Sequence, residues 1–245
     1  MAQEIFERME QKYLLNTTEY LELIPELVRY MEADAYGKYS VSNVYFDTED
    51  FRLIRESMEK PVYKEKLRLR CYGEPSEDGT VFTEIKKKYD GVVYKRRIPM
   101  RLKEAQRYLY GGIKPDLSCS DFIRKQIFSE IDYMKERYDL KPAAFISYDR
   151  IAFSGKEDPE LRVTFDNNIR ARSYDLDLRN GRKGLPLLQK GMILMEVKIP
   201  GSMPLWMCRV FEKISRCQTT FSKYGEFYEI LSAARENKEG GKICA

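Results

Sequence analysis

Side chains alternate between the two faces of a β-strand, so the chemistry a strand can present is read from every second residue. In Tyr63–Tyr72 one face is Lys64, Lys66, Arg68 and Arg70, and the other is Tyr63, Glu65, Leu67, Leu69 and Cys71. In Val81–Tyr89, Glu84, Lys86 and Lys88 share a face with Phe82, and in Phe145–Phe153 Tyr148 shares one with Arg150. Arg162, Thr164 and Asp166 back onto Leu161, Val163 and Phe165, while Leu194, Glu196 and Lys198 back onto Ile193, Met195, Val197 and Ile199. Glu10 and Lys12 share a face of the first strand. Pooled, these faces carry ten cations (Lys12, Lys64, Lys66, Arg68, Arg70, Lys86, Lys88, Arg150, Arg162 and Lys198) against four carboxylates (Glu10, Glu84, Asp166 and Glu196), in a chain whose net charge is only +4.

Each strand alone reads as an ordinary solvent-facing surface over an apolar back. Six strands leaning cationic together read differently, because like charges opposite one another on a sheet repel. A polyanion lying on that face removes the penalty. A barrel interior lined by Lys and Arg, with helices over the apolar outside, focuses positive potential into a cleft. Arg forks match phosphate oxygens and Lys adds point charge. The four carboxylates cannot hold phosphate, but they are hard oxygen donors suited to Mg²⁺ or Mn²⁺ bridging carboxylate and phosphate.

Composition narrows the chemistry further. The chain has no His, which excludes His-based zinc sites, Ser-His and Cys-His nucleophiles and His general bases. Catalysis must rest on carboxylates, Lys, Arg, Tyr, Cys or an oxygen-held metal. The five cysteines form no CxxC pair and suit a reducing, cytoplasmic setting better than a disulfide framework. No signal-peptide core is expected at the N-terminus, and no stretch approaches the ~18 apolar residues of a membrane span.

The elements that must position these side chains are many strands and a few helices. Strands are expected over Phe6–Leu15, Tyr39–Asp47, Tyr63–Tyr72, Val81–Tyr89, Val92–Pro99, Ala143–Ser154, Leu161–Arg170 and Met192–Ile199. Asp90-Gly91 signals a tight hairpin. Helices are expected over Thr18–Met31 (capped by Asn16 or Thr17 and kinked at Pro25), Asp50–Met58, Leu102–Tyr110, Asp121–Tyr138, Leu205–Ser215 and Ser222–Asn237. In the fourth of these, Ile123, Ile127, Ile131, Met134 and Tyr138 fall on one stripe. No internal repeat or domain linker interrupts the pattern. One domain over residues 1–238 is expected, with a flexible, polar, Gly-rich tail over 239–245.

The ordered motifs KEKLRLR (Lys64–Arg70), EIK (Glu84–Lys86), YDR (Tyr148–Arg150), LRVTFD (Leu161–Asp166), MEVK (Met195–Lys198) and FSKY (Phe221–Tyr224) resemble the VTC domain, a family of the triphosphate tunnel metalloenzymes (CYTH-like), in its stand-alone prokaryotic form. The resemblance runs from about Phe6 to Tyr228, and it rests on the order and spacing of motifs that are each short. It implies an α+β fold, an antiparallel β-barrel of about eight strands flanked by helices. It implies a metal-dependent polyphosphate polymerase that transfers the ATP γ-phosphoryl group to a growing chain. On it, Arg68, Arg70, Arg150, Arg162 and Lys198 are catalytic, and Lys12, Lys86, Tyr148 and Lys223 bind phosphate; Lys66, read from the same cationic face, is a further expected phosphate-binding residue. A further phosphate-binding arginine falls on Arg55, with Arg52 the alternative. Glu196 holds Mn²⁺ or Mg²⁺, with Glu84, Asp166 and Glu10 as candidate helpers. The partners implied are ATP and polyphosphate or pyrophosphate.

Two rivals stand beside this reading. An inorganic triphosphatase or nucleotide cyclase could use the same tunnel, since fold does not fix function. A non-catalytic polyphosphate-binding module is the other, and Glu196 speaks against it. Nucleic acid is not expected, because the lining faces offer few aromatic stacking surfaces. Neither a regulatory SPX domain nor a membrane segment is expected in these 245 residues, so a link to a membrane partner stays open.

Overall fold

A computed structural model describes residues 8–240, apart from Gly91, Cys119, Ser215 and Arg216 and the side chains of residues 8 and 237–240. The order of elements is β1 (Arg8–Leu15), α1 (Thr17–Tyr30), β2 (Met31–Asp47), α2 (Arg52–Met58), β3 (Tyr63–Tyr72), β4 (Thr80–Tyr89), β5 (Val92–Arg101), α3 (Leu102–Leu109), α4 (Phe122–Tyr138), β6 (Lys141–Gly155), β7 (Arg162–Arg172), β8 (Leu185–Pro186), β9 (Ile193–Pro200), α5 (Leu205–Glu212) and α6 (Lys223–Gly240). Every ladder is antiparallel, in the order β1-β9-β7-β6-β2-β3-β4-β5, with β8 paired to β7 off this path. No ladder joins β1 to β5 among the described residues, yet Lys86 of β4 lies 3.8 Å from Glu10 of β1. The sheet therefore curls until the side chains of β1 reach those of β4, giving a barrel-like tunnel. This is the α+β architecture expected.

Local signals explain the element ends. Asn16 caps α1 in a capping box: its side chain accepts from Glu19 N at 2.9 Å, and Glu19 accepts from Asn16 N at 2.8 Å. The helix then runs through Pro25 to Tyr30. Tyr89 sits directly opposite Val92, and Asp90 has φ 44°, as a two-residue primed turn requires. Asp47 starts α2 by accepting from the amides of Leu53 (2.8 Å) and Ile54 (3.1 Å).

Three apolar clusters set the sheet in place. The outward faces of β3, β4 and β5 pack under α3 and α4 through Leu67, Leu69, Ile85, Ile98, Tyr108 and Ile131. The outward faces of β1, β7 and β9 pack against α1 and α5 through Leu15, Val163, Met195, Val197, Leu27 and Met207. The third cluster lies on the concave side, where Tyr45, Ile146, Tyr148 and Leu194 meet Ile54 of α2 and Tyr224 and Phe227 of α6. These two helices thus cover part of the inner face.

The differences from the sequence reading are local. β2 begins at Met31, not Tyr39, because its first residues pair with the end of β6 (Met31↔Gly155, Ala33↔Phe153) across an irregularity before Lys38. Ile123 is 60% exposed, so the buried stripe of α4 starts at Ile127. α6 continues to Gly240, past the expected stop at Asn237. Phe6 at the start of the first expected strand, Ser215 at the end of the fifth helix and residues 241–245 of the expected tail lie outside the described residues.

Candidate functional site

The ladder register carries one face around the whole sheet. Glu10 pairs with Lys198, and Lys198 with Arg162; Lys12 pairs with Glu196, and Glu196 with Thr164. Asp166 pairs with Arg150, Arg150 with Tyr39, and Asn43 with Arg70. Arg68 pairs with Glu84, and Glu84 with Arg97; Lys66 pairs with Lys86, and Lys86 with Lys95. All ten cations read from strand parity therefore share the concave side. Lys223, at the first turn of α6, joins them.

Two carboxylates anchor two clusters. Glu84, 1% exposed, accepts from Arg68 Nε at 2.7 Å, and its other oxygen lies 3.0 Å from Lys95 Nζ. Arg70 Nε sits 3.7 Å from Glu84 and donates to Asn43 Oδ1 at 2.8 Å. Burial pushes the Glu84 carboxyl up, but Arg68, Arg70 and Lys95 hold it down at about 2. The same arginines act on Tyr45, whose hydroxyl accepts from Arg68 at 3.2 Å. Burial opposes them, yet they bring that hydroxyl down to about 8. Asp166, fully buried, takes a two-point fork from Arg150 (2.6 and 2.8 Å) and Lys223 Nζ at 2.6 Å. Burial works against the Asp166 charge, but Lys223 and Arg150 keep its carboxyl below the usual range. Tyr148 lies beneath both cations, with Lys223 Nζ 4.6 Å and Arg150 Cζ 5.0 Å from its ring centre.

Glu196 lies between these clusters and the first strand, 3.1 Å from Lys198. Burial alone would raise its carboxyl; Lys198, Lys223, Arg150 and Lys12 instead hold it well below the carboxylate range. It is ionised at any physiological pH. Opposite stands a row of lysines with less compensation: Lys12 and Lys86 share only Glu10, each at 3.8 Å. Lys66 has no hydrogen-bond or ion-pair partner among the described residues, and burial together with Lys86, Lys64 and Lys12 pushes its ammonium down to about 8. Burial and Lys88, Lys86 and Lys12 likewise lower Lys64, which donates to Ser57 O at 3.1 Å. Burial lowers Lys86 against the pull of Glu10 and Glu196. Lys12 donates to Phe221 O at 2.9 Å, tying β1 to the segment before α6.

Two expected site residues stand apart. Arg162 is on the lining face but exposed, with no ion-pair partner among the described residues. Arg55 and Arg52 are both exposed on α2; Arg55 pairs with Asp50, and Arg52 with Glu56 at 2.6 Å. Neither partner is a lining residue. Parity reading also missed several lining residues, among them Lys95 and Arg97 of β5 and Asn43 and Tyr45 of β2. The run KRR (Lys95–Arg97) hides alternation, but the Asp90-Gly91 hairpin fixes Lys95 opposite Lys86 and would have revealed it.

Against known proteins, the chain matches the VTC domain over residues 7–232. It is 26% identical over 220 residues to vacuolar transporter chaperone complex subunit 4 of Trypanosoma cruzi, covering 75% of this chain and 27% of that protein. The corresponding subunit of Trypanosoma brucei brucei is 27% identical over the same length and coverage. The chain thus spans about a quarter of the length of these relatives. Among solved structures it resembles a Bacillus halodurans protein provisionally assigned as an adenylate cyclase (TM-score 0.53, 15% identity, 90% of this chain and 96% of that one). It also resembles an adenylyl cyclase homologue from Hippeastrum described as having a dominant triphosphatase activity (TM-score 0.50, 15% identity, 90% and 96% covered). The solved structures agree with the curled sheet, and the sequence match spans every lining strand and the start of α6: this chain belongs to the VTC domain family.

Proposed function

We propose that this chain is a phosphotransferase that lengthens polyphosphate by taking the γ-phosphoryl group of ATP. The observation that carries the reading is the concave face itself. It gathers cations from β1, β3, β4, β5, β6, β7, β9 and α6, and it leaves Lys66, Lys88 and Arg162 without a carboxylate partner among the described residues. A face so short of anions is completed by a ligand that is a string of anions. The family relationship to subunit 4 of the chaperone complex supports the same reading.

In the reaction, the bond from the γ-phosphorus to the β,γ-bridging oxygen breaks, ADP leaves, and a new bond forms to the terminal oxygen of the accepting chain. Phosphoryl transfer is mostly positioning and charge stabilisation. A terminal phosphate is already anionic near neutral pH, with a second pKa of about 6, so no strong base is needed and the lack of His is no obstacle. Arg68, Arg70 and Arg150, each fixed by Glu84 or Asp166, neutralise the transferring group; Arg162 and Lys198 add charge at the rim. Lys12, Lys66, Lys86 and Lys223 position the chain, with the Tyr148 hydroxyl beside Arg70 at 3.4 Å. Removing one such charged contact costs ~2–4 kcal/mol, or ~10²–10³ in rate.

The donor set fits a divalent ion that arrives with the phosphates. Sites of that kind use one or two protein carboxylates plus phosphate oxygens. Glu196 is ionised, and Glu10 stands one step along the same face with 30% of its side chain exposed. Glu84 and Asp166 are already enclosed by cations. No group of three or more acidic or Cys side chains gathers among the described residues, so a protein-only cage is not offered. Bound there, Mg²⁺ or Mn²⁺ would supply charge neutralisation on the phosphate oxygens. No described helix is long and apolar enough to cross a membrane.

The test is a gel assay of purified protein with ATP, Mn²⁺ and pyrophosphate, stained for polyphosphate, beside Glu196→Ala. A ladder from the wild type alone supports the polymerase. Free phosphate or a cyclic nucleotide in place of the ladder assigns the tunnel to hydrolysis or cyclisation, and no turnover at all leaves only binding; each of these sinks the proposal.

A further inference from the structure

The lining is not uniformly cationic along its length. Tyr72 of β3, Phe82 of β4 and Tyr39 of β2 all fall on the concave parity. Phe82 stands opposite Arg70 and Tyr39 opposite Arg150. Together with Tyr36 they form a continuous run: Tyr36 to Tyr39 at 6.1 Å, Tyr39 to Tyr72 at 6.0 Å and Tyr72 to Phe82 at 5.8 Å, each edge to face. The Arg97 guanidinium lies 4.9 Å over the Phe82 ring. Each edge-to-face contact covers one face of one ring only, and Tyr36 is 81% and Tyr72 43% exposed.

The opposite end differs. There the aromatics Tyr63 and Tyr89 fall on the outward parity, the lining is Lys64 opposite Lys88, and the Lys64 ammonium bonds to α2. Along β3, Tyr72 and Lys64 are separated by about 26 Å of strand, at ~3.3 Å per residue. The aromatic run therefore marks one mouth, the one away from α2, and it leads directly onto Arg70 and Arg150. A polyphosphate chain has no apolar part to offer these rings. The nucleoside end of a nucleotide does, and its phosphates would point inward at the arginines.

We propose that Tyr36, Tyr39, Tyr72 and Phe82 form a stacking platform for the base of the nucleoside triphosphate donor, so that nucleotide is held by base and phosphates together while inorganic chains are held by phosphates alone. The inference rests on the donor being a nucleotide, as proposed above. Stacking tolerates any base because every base has a π-face, so adenine and guanine nucleotides bind within a fewfold of each other.

Calorimetry with two probes tests it: the β,γ-imido analogue of ATP and inorganic tripolyphosphate. The expected result for Tyr36→Ala/Tyr72→Ala is a loss of about tenfold or more in affinity for the nucleotide analogue, from the loss of base–aromatic stacking, with tripolyphosphate affinity unchanged. Tyr72→Trp restores nucleotide affinity in the Tyr36→Ala background. Tyr36→Ala alone, at the most exposed ring, serves as the variant least able to disturb folding and carries a smaller loss in the same direction. Equal losses for both probes would show a merely structural mouth and overturn the platform, as would no change for either. A wild type that binds tripolyphosphate as tightly as the nucleotide analogue also overturns it. A wild type that binds neither probe instead removes the phosphotransferase reading beneath it.

Discussion

Lys66→Met tests whether the lysine row is held at a cost to the fold. Lys66 lies between Lys64 and Arg68 on the concave face of β3, opposite Lys86. Burial and Lys86, Lys64 and Lys12 bring its ammonium from 10.5 to about 8, a shift that corresponds to about 3 kcal/mol at most against the charged form in the folded chain. The sign follows from linkage. Below about pH 8 the ammonium is charged in both the folded and unfolded chain, and the full cost is present. Between about 8 and 10.5 the folded chain releases the proton first and the cost fades. Methionine keeps the length and drops the charge. Urea unfolding of the ligand-free protein at pH 7 should show Lys66→Met more stable than the wild type by about 1–3 kcal/mol, with the gain shrinking at pH 10. In the same protein, tripolyphosphate affinity at pH 7 should fall about 10- to 100-fold for one lost charge-assisted contact. A variant less stable than the wild type at pH 7, or one that binds tripolyphosphate as well, would refute the reasoning.

Lys66 and Lys95 both titrate at about 8, so each is about nine-tenths charged at pH 7 and about one-tenth at pH 9. Tripolyphosphate binding should weaken over that window and take up protons near pH 8, seen as calorimetric heats that scale with buffer ionisation enthalpy. Glu84→Gln leaves Arg68, Arg70 and Lys95 facing one another without their shared anion, and should cost about 3–5 kcal/mol in urea unfolding at pH 7. Because the Glu84 carboxyl is held at about 2, the stability it adds is lost as pH falls from about 4.5 to about 2, and the two proteins should converge there. Tyr224→Phe removes the 2.9 Å hydroxyl donor to buried Asp47, and should cost about 1–3 kcal/mol of stability while turnover per folded molecule is retained.

The lining was legible because period-two alternation survives even where the sequence is crowded with charge. Lys64, Lys66, Arg68 and Arg70 alternate with Glu65, Leu67 and Leu69, and the buried Leu67 and Leu69 leave only one way to orient the strand. The short strand MEVK works the same way, with Met195 and Val197 in the core and Glu196 and Lys198 turned inward. What stayed hidden has tertiary causes. The first half of β2, Met31 to Lys38, carries Glu, Asp, Ala and Gly, none of them strong strand formers, and is extended because it pairs with the end of β6. Asn43 and Tyr45 sit in a strand whose two faces are both buried, one against α2 and α6 and one against the outer core, so hydropathy does not separate them. Arg55, which the resemblance implies with Arg52 as the alternative, lies exposed on α2 and pairs with Asp50, and spacing along a chain does not say which side of a short helix faces the tunnel.

The distribution of carboxylates explains how a sheet with so many like charges stays folded. Glu84 and Asp166 are the two most buried lining acids, and each is shared among two or three cations rather than paired with one. They sit under Arg68, Arg70 and Arg150, whose planar forks must hold a fixed orientation to meet phosphate oxygens. The lysines are anchored less evenly: Lys95 shares Glu84 at 3.0 Å and Lys198 lies 3.1 Å from Glu196, whereas Lys66 and Lys88 have no carboxylate partner among the described residues. A lysine needs no fixed fork to deliver charge, and an uncompensated lysine gains most when a phosphate arrives. The same division accounts for Lys223, the lysine that does share Asp166: it is the first residue of α6, and its 2.6 Å contact ties that helix to the sheet. Arginines oriented by buried acids and lysines left to be completed by ligand together make a face that is folded when empty and more stable when filled, by RT ln(1 + [L]/Kd), or about 2.7 kcal/mol at a hundredfold excess over Kd.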